Sequence, residues 1–205
     1  MTVVKHWGHH HRSQDLSGVM DRVAKGRAMQ GKLLMEKVDG STTQPLLDAV
    51  ALFEHLGIRY ALIGGIAAMY YGRARFTDDV DFVADFLHER VLAENPDSMA
   101  AHRFDPSCTY KLYHATGVDI DLWKDEFVHD ILDRARDATL AGRVVKIVDP
   151  NDLAAMKLRA GRPQDDYDIS EMIKAGAVDE VVLKARVTDD QLRRFVDIRS
   201  RTPLV

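Results

Sequence analysis

The chain has 205 residues, 46% hydrophobic and 29% charged, with a formal net charge of −4; these are the proportions of one globular domain with a real core, not of a polycation that coats nucleic acid. Its single cysteine, Cys108, excludes an internal disulfide framework and reads as a half-buried structural thiol in a reducing compartment. No apolar run reaches the ~20 residues that cross a bilayer and no secretory signal opens the chain, so no membrane is expected and the cytoplasm is the expected location.

Residues 1–42 read as a polar, flexible N-terminal arm. Its weak helical periodicity is interrupted by Gly26 and Gly31, and it carries His6, His9, His10 and His11. Adjacent histidines on a loose tail do not make a closed metal site. Residues 43–148 then form a mixed α/β core, and residues 149–205 a mainly helical region packed on it.

The core opens with "STTQPLLDAVALFEHLG", where a polar cap, Pro45 in the first turn and Gly57 as a stop bracket an amphipathic helix. "IRYALI" reads as a buried strand, "GGIAAMYYG" as a turn into a short helix, and "DVDFVAD" as an alternating strand followed by the helical "DFLHERVLAEN". Two strand-like runs flank Ala115-Thr116-Gly117, a hairpin turn. "EFVHDILDRARDA" is expected as a helix, "GRVVKIV" as a short strand, and "PNDLAAMKLRA" and "PQDDYDISEMIKAG" as helices. Thr188 and Gln191 form a capping box before a last helix, "DDQLRRFVDIR".

Chemistry concentrates in "YALIGGIAAMYYGRARFTDDVDFVAD". Gly64 and Gly65 end a strand and begin a helix, where exposed N–H groups meet an anion and the missing Cβ atoms let a phosphate approach. The spacing is not the dinucleotide fingerprint. Asp78, Asp79 and Asp81 then crowd together without an intervening cation. Asp79 and Asp81 share one face of a strand, a pair suited to a hard cation such as Mg2+; the plain alternative is a solvated acidic strand end. Downstream, Asp119 and Asp121 in "GVDIDLW" also share one face. If that strand lies beside "DVDF", three or four carboxylates converge, an arrangement that suits two metal ions and in-line phosphoryl displacement.

The run Ile63-Gly64-Gly65, thirteen intervening residues (66–78), then Asp79-Val80-Asp81-Phe82 resembles the signature of the nucleotidyltransferase superfamily of DNA polymerase beta. That resemblance implies an α+β nucleotidyltransferase core whose mixed sheet is flanked by helices, with a third carboxylate on a later strand. Asp121 is preferred for it over Asp119, because the "LW" after it resembles the apolar pair of relatives. "GRARFTDDVDF" and "DLAAMKLRAGRPQDDYDI" further resemble the AbiEii-like branch, known for toxins of toxin–antitoxin and phage-defence systems. The similarity spans roughly residues 45–175.

What the resemblance implies is a Mg2+-dependent enzyme that moves a nucleoside monophosphate from an NTP to an acceptor hydroxyl and releases pyrophosphate. Asp79, Asp81 and Asp121 would be both catalytic and metal-binding, with two ions expected. Gly64, Gly65, Arg75, Thr77, Lys157 and Arg162 would hold the nucleotide, with Arg73 also within reach of its phosphates. Asp165 and Asp168 would orient Lys157 or Arg162, or else support the first turn of their own helix. RNA, particularly a tRNA acceptor end, is the first expected acceptor, with an antitoxin as possible partner; arm residues such as Lys5, Arg12 and Arg22 would add phosphate contacts. A protein hydroxyl, an antibiotic hydroxyl or a non-catalytic nucleotide-binding module of the same fold are the alternatives.

Overall fold

A computed structural model describes residues 40–72, 77–85, 99–102 and 110–203. The N-terminal arm through residue 39, Arg73 and Arg75, the expected helix after Asp85, and Cys108 lie outside the described residues. Helix α1 spans Gly40–Leu56, and its Leu46, Val50, Phe53 and Leu56 are all buried, as a 3.6-residue period requires. It stops at Gly57, whose φ is 63°. There Ile58 N–H donates to the Phe53 carbonyl at 2.8 Å and Gly57 N–H to the Glu54 carbonyl at 3.2 Å, a closure glycine makes without strain. The helix starts earlier than its sequence suggested, which puts Pro45 inside it and not in the first turn. Proline has no N–H to give the preceding turn, but so near the N-terminus only one hydrogen bond is forfeited, and the ring is buried.

The remaining elements, in chain order, are β1 (Arg59–Leu62), α2 (Gly64–Tyr71), β2 (Asp79–Asp85), β3 (Met99–His102), β4 (Tyr110–His114), β5 (Asp119–Trp123) and α3 (Val128–Arg134). They continue with β6 (Arg136–Leu140), β7 (Arg143–Ile147), α4 (Pro150–Ala160), α5 (Pro163–Lys174), α6 (Glu180–Lys184) and α7 (Asp189–Arg201). The strands form one mixed sheet in the order β3-β4-β5-β2-β1-β7-β6. Pairs β2–β5 and β1–β7 are parallel and the others antiparallel.

The two faces of the sheet divide the labour. Val80, Phe82, Ile120 and Leu122 point to one face and are fully buried. Helix α1 covers that face, with Phe53 edge-on to Phe82 at 5.1 Å and tilted against Tyr60 at 5.4 Å. His114 at the end of β4 adds a polar tie. Its Nδ1 accepts from Thr116 N–H at 3.2 Å, so the tautomer that satisfies both ring nitrogens donates from Nε2 to Asp48 of α1 at 3.0 Å. The opposite face carries Asp79, Asp81 and Asp121 at one end and Asp85 at the other. Helix α3 packs on β1 and β2 at the Asp85 end, where Arg59 pairs with Asp133 and His129 lies 3.7 Å from Asp85. The Asp79 end is left open toward α4.

The helix expected over "EFVHDILDRARDA" is shorter than its sequence suggested. It ends at Arg134, because Ala135 turns to an extended ψ of 141°. Residues Arg136–Leu140 form β6, antiparallel to β7 across a two-residue turn at Ala141 and Gly142, with φ 48° and 77°. Alternation explains the strand: Ala138 and Leu140 are buried, as are Val145 and Ile147 opposite, so the hairpin satisfies a period of two that the Arg/Asp run conceals.

Helix α4 is anchored at both ends. Asp149 caps its start, accepting from Asn151 N–H at 2.9 Å, and receives Arg136 of β6 and Arg186, the latter at 2.7 Å. Asp152 beside it takes Arg134 at 2.8 Å. At the other end Gly161 adopts φ 70° and its carbonyl accepts from Arg194 of α7 at 2.8 Å. No helix among the described residues is long and apolar enough to cross a membrane.

Burial pushes the Asp149 carboxyl up, but the Asn151 N–H and the Arg136 and Arg186 charges outweigh it and hold it below the ordinary carboxylate range. A depressed folded-state value means stability that is complete above the ordinary range and is lost as pH falls below it. We expect Asp149→Ala to lower the unfolding free energy by about 3 kcal/mol at pH 7, measured by urea denaturation. The gap from the parent protein should shrink below about pH 4; a gap of the same size at pH 3 would refute this account of the cap.

Candidate active site

The open end of the sheet is built by a strand–helix turn and a parallel strand pair. Ile63 N–H donates to the Asp81 carbonyl at 2.9 Å, which brings the start of α2 against β2. Gly64 follows with φ 63°, and a Cβ on it would stand 1.9 Å from Asp81 Oδ2 and 2.7 Å from Asp81 Cβ. The Asp81 carboxylate thus occupies the space of the missing side chain, a direct reason for glycine here. Gly65 is buried in the first turn of α2.

Parallel register sets Asp79 opposite Asp119 and Asp81 opposite Asp121. All four side chains share a face, yet only three gather. One oxygen each from Asp79, Asp81 and Asp121 lie within 4.8 Å of one another, while Asp119 accepts from Lys111 Nζ at 2.8 Å. Thr77 Oγ1 donates to Asp79 at 2.7 Å and Trp123 Nε1 to Asp81 at 2.9 Å. Burial and then the neighbouring Asp79 charge push the Asp81 carboxyl up to about 6, against the opposing Trp123 hydrogen bond. Burial also raises Asp121, against the pull of Lys111. Three oxygen donors at hard-cation spacing, with negative charge that burial penalises, fit Mg2+ in chemistry and in electrostatics.

Across a cleft of about 540 Å3 stands a wall from α4 and α5 that includes Lys157, Arg159, Arg162 and Asp165. Lys157 is buried, with Nζ 2.6 Å from Asp168 and 3.3 Å from Asp165. Arg162 grips Asp165 through Nε at 2.8 Å and Nη2 at 3.2 Å. Burial raises Asp165, but Arg162 and Lys157 outweigh it and hold it below the ordinary range. Arg159 donates to Asp125 at 2.6 Å and lies over the Phe127 ring at 5.2 Å.

Of the residues singled out from the sequence, Gly64, Gly65, Thr77, Asp79, Asp81 and Asp121 line this cleft together, and Lys157 and Arg162 line it too. Lys157 and Arg162 are already engaged by carboxylates, and Arg75 lies outside the described residues. Sequence reasoning missed Trp123, Asp125, Arg159 and Lys111. Trp123 follows Asp121 at the same-face interval of two, a signal that was present. Lys111 and Arg159 carried none, since each reaches the site through tertiary placement.

Residues 42–200 match the family described as nucleotidyl transferase of unknown function (DUF2204). Among solved structures, ANT(2")-Ia in complex with adenylyl-2"-tobramycin is similar at TM-score 0.53 and 15% identity, over 79% of this chain and 99% of that one. An antigenic nucleotidyltransferase-like protein from Paracoccidioides brasiliensis is similar at TM-score 0.52 and 18% identity, over 80% of this chain and 90% of that one. At these identities the likeness is one of fold. The search of curated proteins returned no match.

A raised Asp81 makes the metal-free protein lose stability as pH rises, because the folded state holds more protons than the unfolded one between about 4 and about 6. We expect Asp81→Asn to remove that slope, since its Oδ1 still accepts from Trp123. In EDTA the variant should melt above the parent at pH 8, by a free energy on the order of 1–2 kcal/mol, and match it near pH 4. A variant less stable at pH 8 would mean that Asp81 is a structural ion-pair partner. Gly64→Ala is expected to displace Asp81 and lose divalent-ion stabilisation of the fold, read in the same melts with Mg2+ added.

Proposed function

We propose that this chain, which belongs to the DUF2204 family of nucleotidyl transferases, moves a nucleoside monophosphate from an NTP to an acceptor hydroxyl and releases pyrophosphate. The observation that carries the reading is the gathering of Asp79, Asp81 and Asp121 oxygens within 4.8 Å at the foot of a glycine turn. In this reading the three carboxylates hold Mg2+, with two ions in the full complex. When bound, the ions would neutralise phosphate charge and stabilise the attacking and leaving oxygens.

The protein groups have separable tasks. Trp123 and Thr77 fix the rotamers of Asp81 and Asp79, so that the donor oxygens need no rearrangement when substrate arrives. The first turn of α2, beside the Asp81 carboxylate that fills the space at Gly64, would present N–H groups to phosphate oxygens. Lys157 has three donors and two carboxylate partners, which leaves one N–H for the triphosphate. Arg162 and Arg75 would add charge against the departing pyrophosphate. Asp121 would accept the proton of the attacking hydroxyl.

For the acceptor, the AbiEii-like character of the Arg75–Phe82 run and of the Lys157–Asp168 segment supports an RNA hydroxyl, tRNA above all, in a cytoplasmic toxin paired with an antitoxin. A second reading, a small cationic molecule with a free hydroxyl, is favoured by the cleft lining. There, among the described residues, the aspartates 79, 81, 121, 125 and 165 outnumber the cations 157, 159 and 162, an excess that suits an acceptor of positive charge. The likeness in fold to ANT(2")-Ia is compatible with it.

The test offers purified protein, Mg2+ and each α-labelled NTP in turn to total RNA, total protein and an aminoglycoside panel. Label should pass to one of these with the parent protein and fall at least a hundredfold with Asp79→Ala or Asp81→Ala, the scale of losing electrostatic stabilisation of the transition state. The labelled fraction identifies the acceptor class. Absence of Mg2+-dependent NTP binding by the parent protein would overturn the transferase reading.

A further inference from the structure

Lys111 lies in β4 directly opposite Asp121 of β5, so the two side chains share the sheet face of the acidic cluster. Its ammonium is 2.8 Å from Asp119 and 3.1 Å from Asp121 Oδ1. The contacts are unequal. The first is a well-aligned hydrogen bond, whereas the contact to the buried Asp121 Oδ1 falls short of proper alignment, so Asp121 receives the charge of Lys111 with only a weakly directed N–H. The pair is also sheltered, with side-chain exposures of 18% for Lys111 and 13% for Asp121 against 38% for Asp119. Asp119 is therefore the anchor, and Lys111 a fixed positive charge behind the third carboxylate of the cluster.

A cation in that position has a consequence for a divalent ion. Asp79, Asp81 and Asp121 together carry three negative charges when ionised, and a site so charged would bind an ion tightly and release it slowly. A built-in ammonium on the outer side of Asp121 offsets part of that charge. It holds Asp121 in place by attraction while leaving its donor capacity unspent. We propose that Lys111, anchored by Asp119, is a positioning residue that keeps the affinity of the Asp79–Asp81–Asp121 cluster for a divalent cation down and Asp121 in register with Asp81. This inference rests on the metal-site reading above.

The two partners of the device act with opposite signs. Lys111→Met removes the counter-charge and tightens ion binding, by about tenfold for one unit charge at short range in a half-sheltered site. Asp119→Asn withdraws the anchor, so the Lys111 ammonium turns its hydrogen bond onto Asp121 and competes with the ion; binding weakens severalfold. Lys111→Arg keeps the charge and stays close to the parent. A merely structural salt bridge would move both neutralising variants in one direction, or neither.

The experiment titrates Mn2+ alone, without nucleotide, into the parent protein, Lys111→Met, Lys111→Arg, Asp119→Asn and Asp81→Asn, following free Mn2+ by electron paramagnetic resonance, with circular dichroism to establish that each variant is folded. Tightening in Lys111→Met together with weakening in Asp119→Asn supports the inference. Changes of the same sign, or none, overturn it while the metal-site reading stands, provided that Asp81→Asn abolishes binding. A parent protein that binds no Mn2+ overturns both.

Discussion

The constraint on which the site depends is that the Asp81 carboxylate fills the volume a side chain at residue 64 would occupy. Two distant segments are made to share one space, so strand β2 and the start of α2 have one relative position that works. The parallel pairing of β2 with β5 extends the constraint to Asp121, and Trp123 closes it by bonding the same carboxylate. Each step places another polar group where burial penalises negative charge. Burial and the neighbouring Asp79 charge hold the Asp81 carboxyl high, a perturbation of the kind that clusters at functional sites.

The facing wall follows the opposite principle. Around Lys157 nearly every charge is answered at short range: Asp165 and Asp168 take Lys157, Arg162 returns to Asp165, and Arg194 ties Asp166 and the Gly161 carbonyl to α7. The same holds at the start of α4, where Asp149 and Asp152 are matched by Arg134, Arg136 and Arg186. One helix is thus pinned at both ends by compensated ion clusters, and between them it carries the cationic side of the cleft. Buried pairs of this kind stabilise little over an apolar alternative, but they fix register, which under the proposed function suits a wall facing a phosphate chain.

Legibility from sequence divided along the same line. The glycine turn and the alternation of Asp79 and Asp81 could be read because both are local, set by a turn and by a period of two. The choice between Asp119 and Asp121 could not be read from the strand itself, since both face one way. What separates them in the structure is Lys111, on a neighbouring strand whose register depends on the Ala115–Gly117 turn. The first three residues of β6 read as helix because Arg134-Ala135-Arg136-Asp137-Ala138 offers helix formers and alternating charge, while its turn holds Ala141, not Asn or Asp, ahead of glycine. Pro45 stands inside the helix for a smaller reason: Gly40, Ser41, Thr42 and Thr43 extend it N-terminally past the polar cap that the sequence suggests.

An acidic face answered only in part, by Lys111 behind Asp121, and a compensated basic wall stand on opposite sides of a cleft of about 540 Å3. Short-range partners hold the wall's cations in place: Lys157 and Arg162 are bound by Asp165, and Lys157 also by Asp168, so that they act on Asp81 only through space and more weakly than its burial and Asp79 do. Had those cations been unpartnered, an intramolecular salt bridge would have been the nearest relief for the aspartates, and it would have closed the cleft. The second layer of aspartates on α5 thus bears on the first layer on β2 and β5 at a distance: by occupying the protein's own cations, it would, under the proposed function, leave the acidic face to a cation from solution.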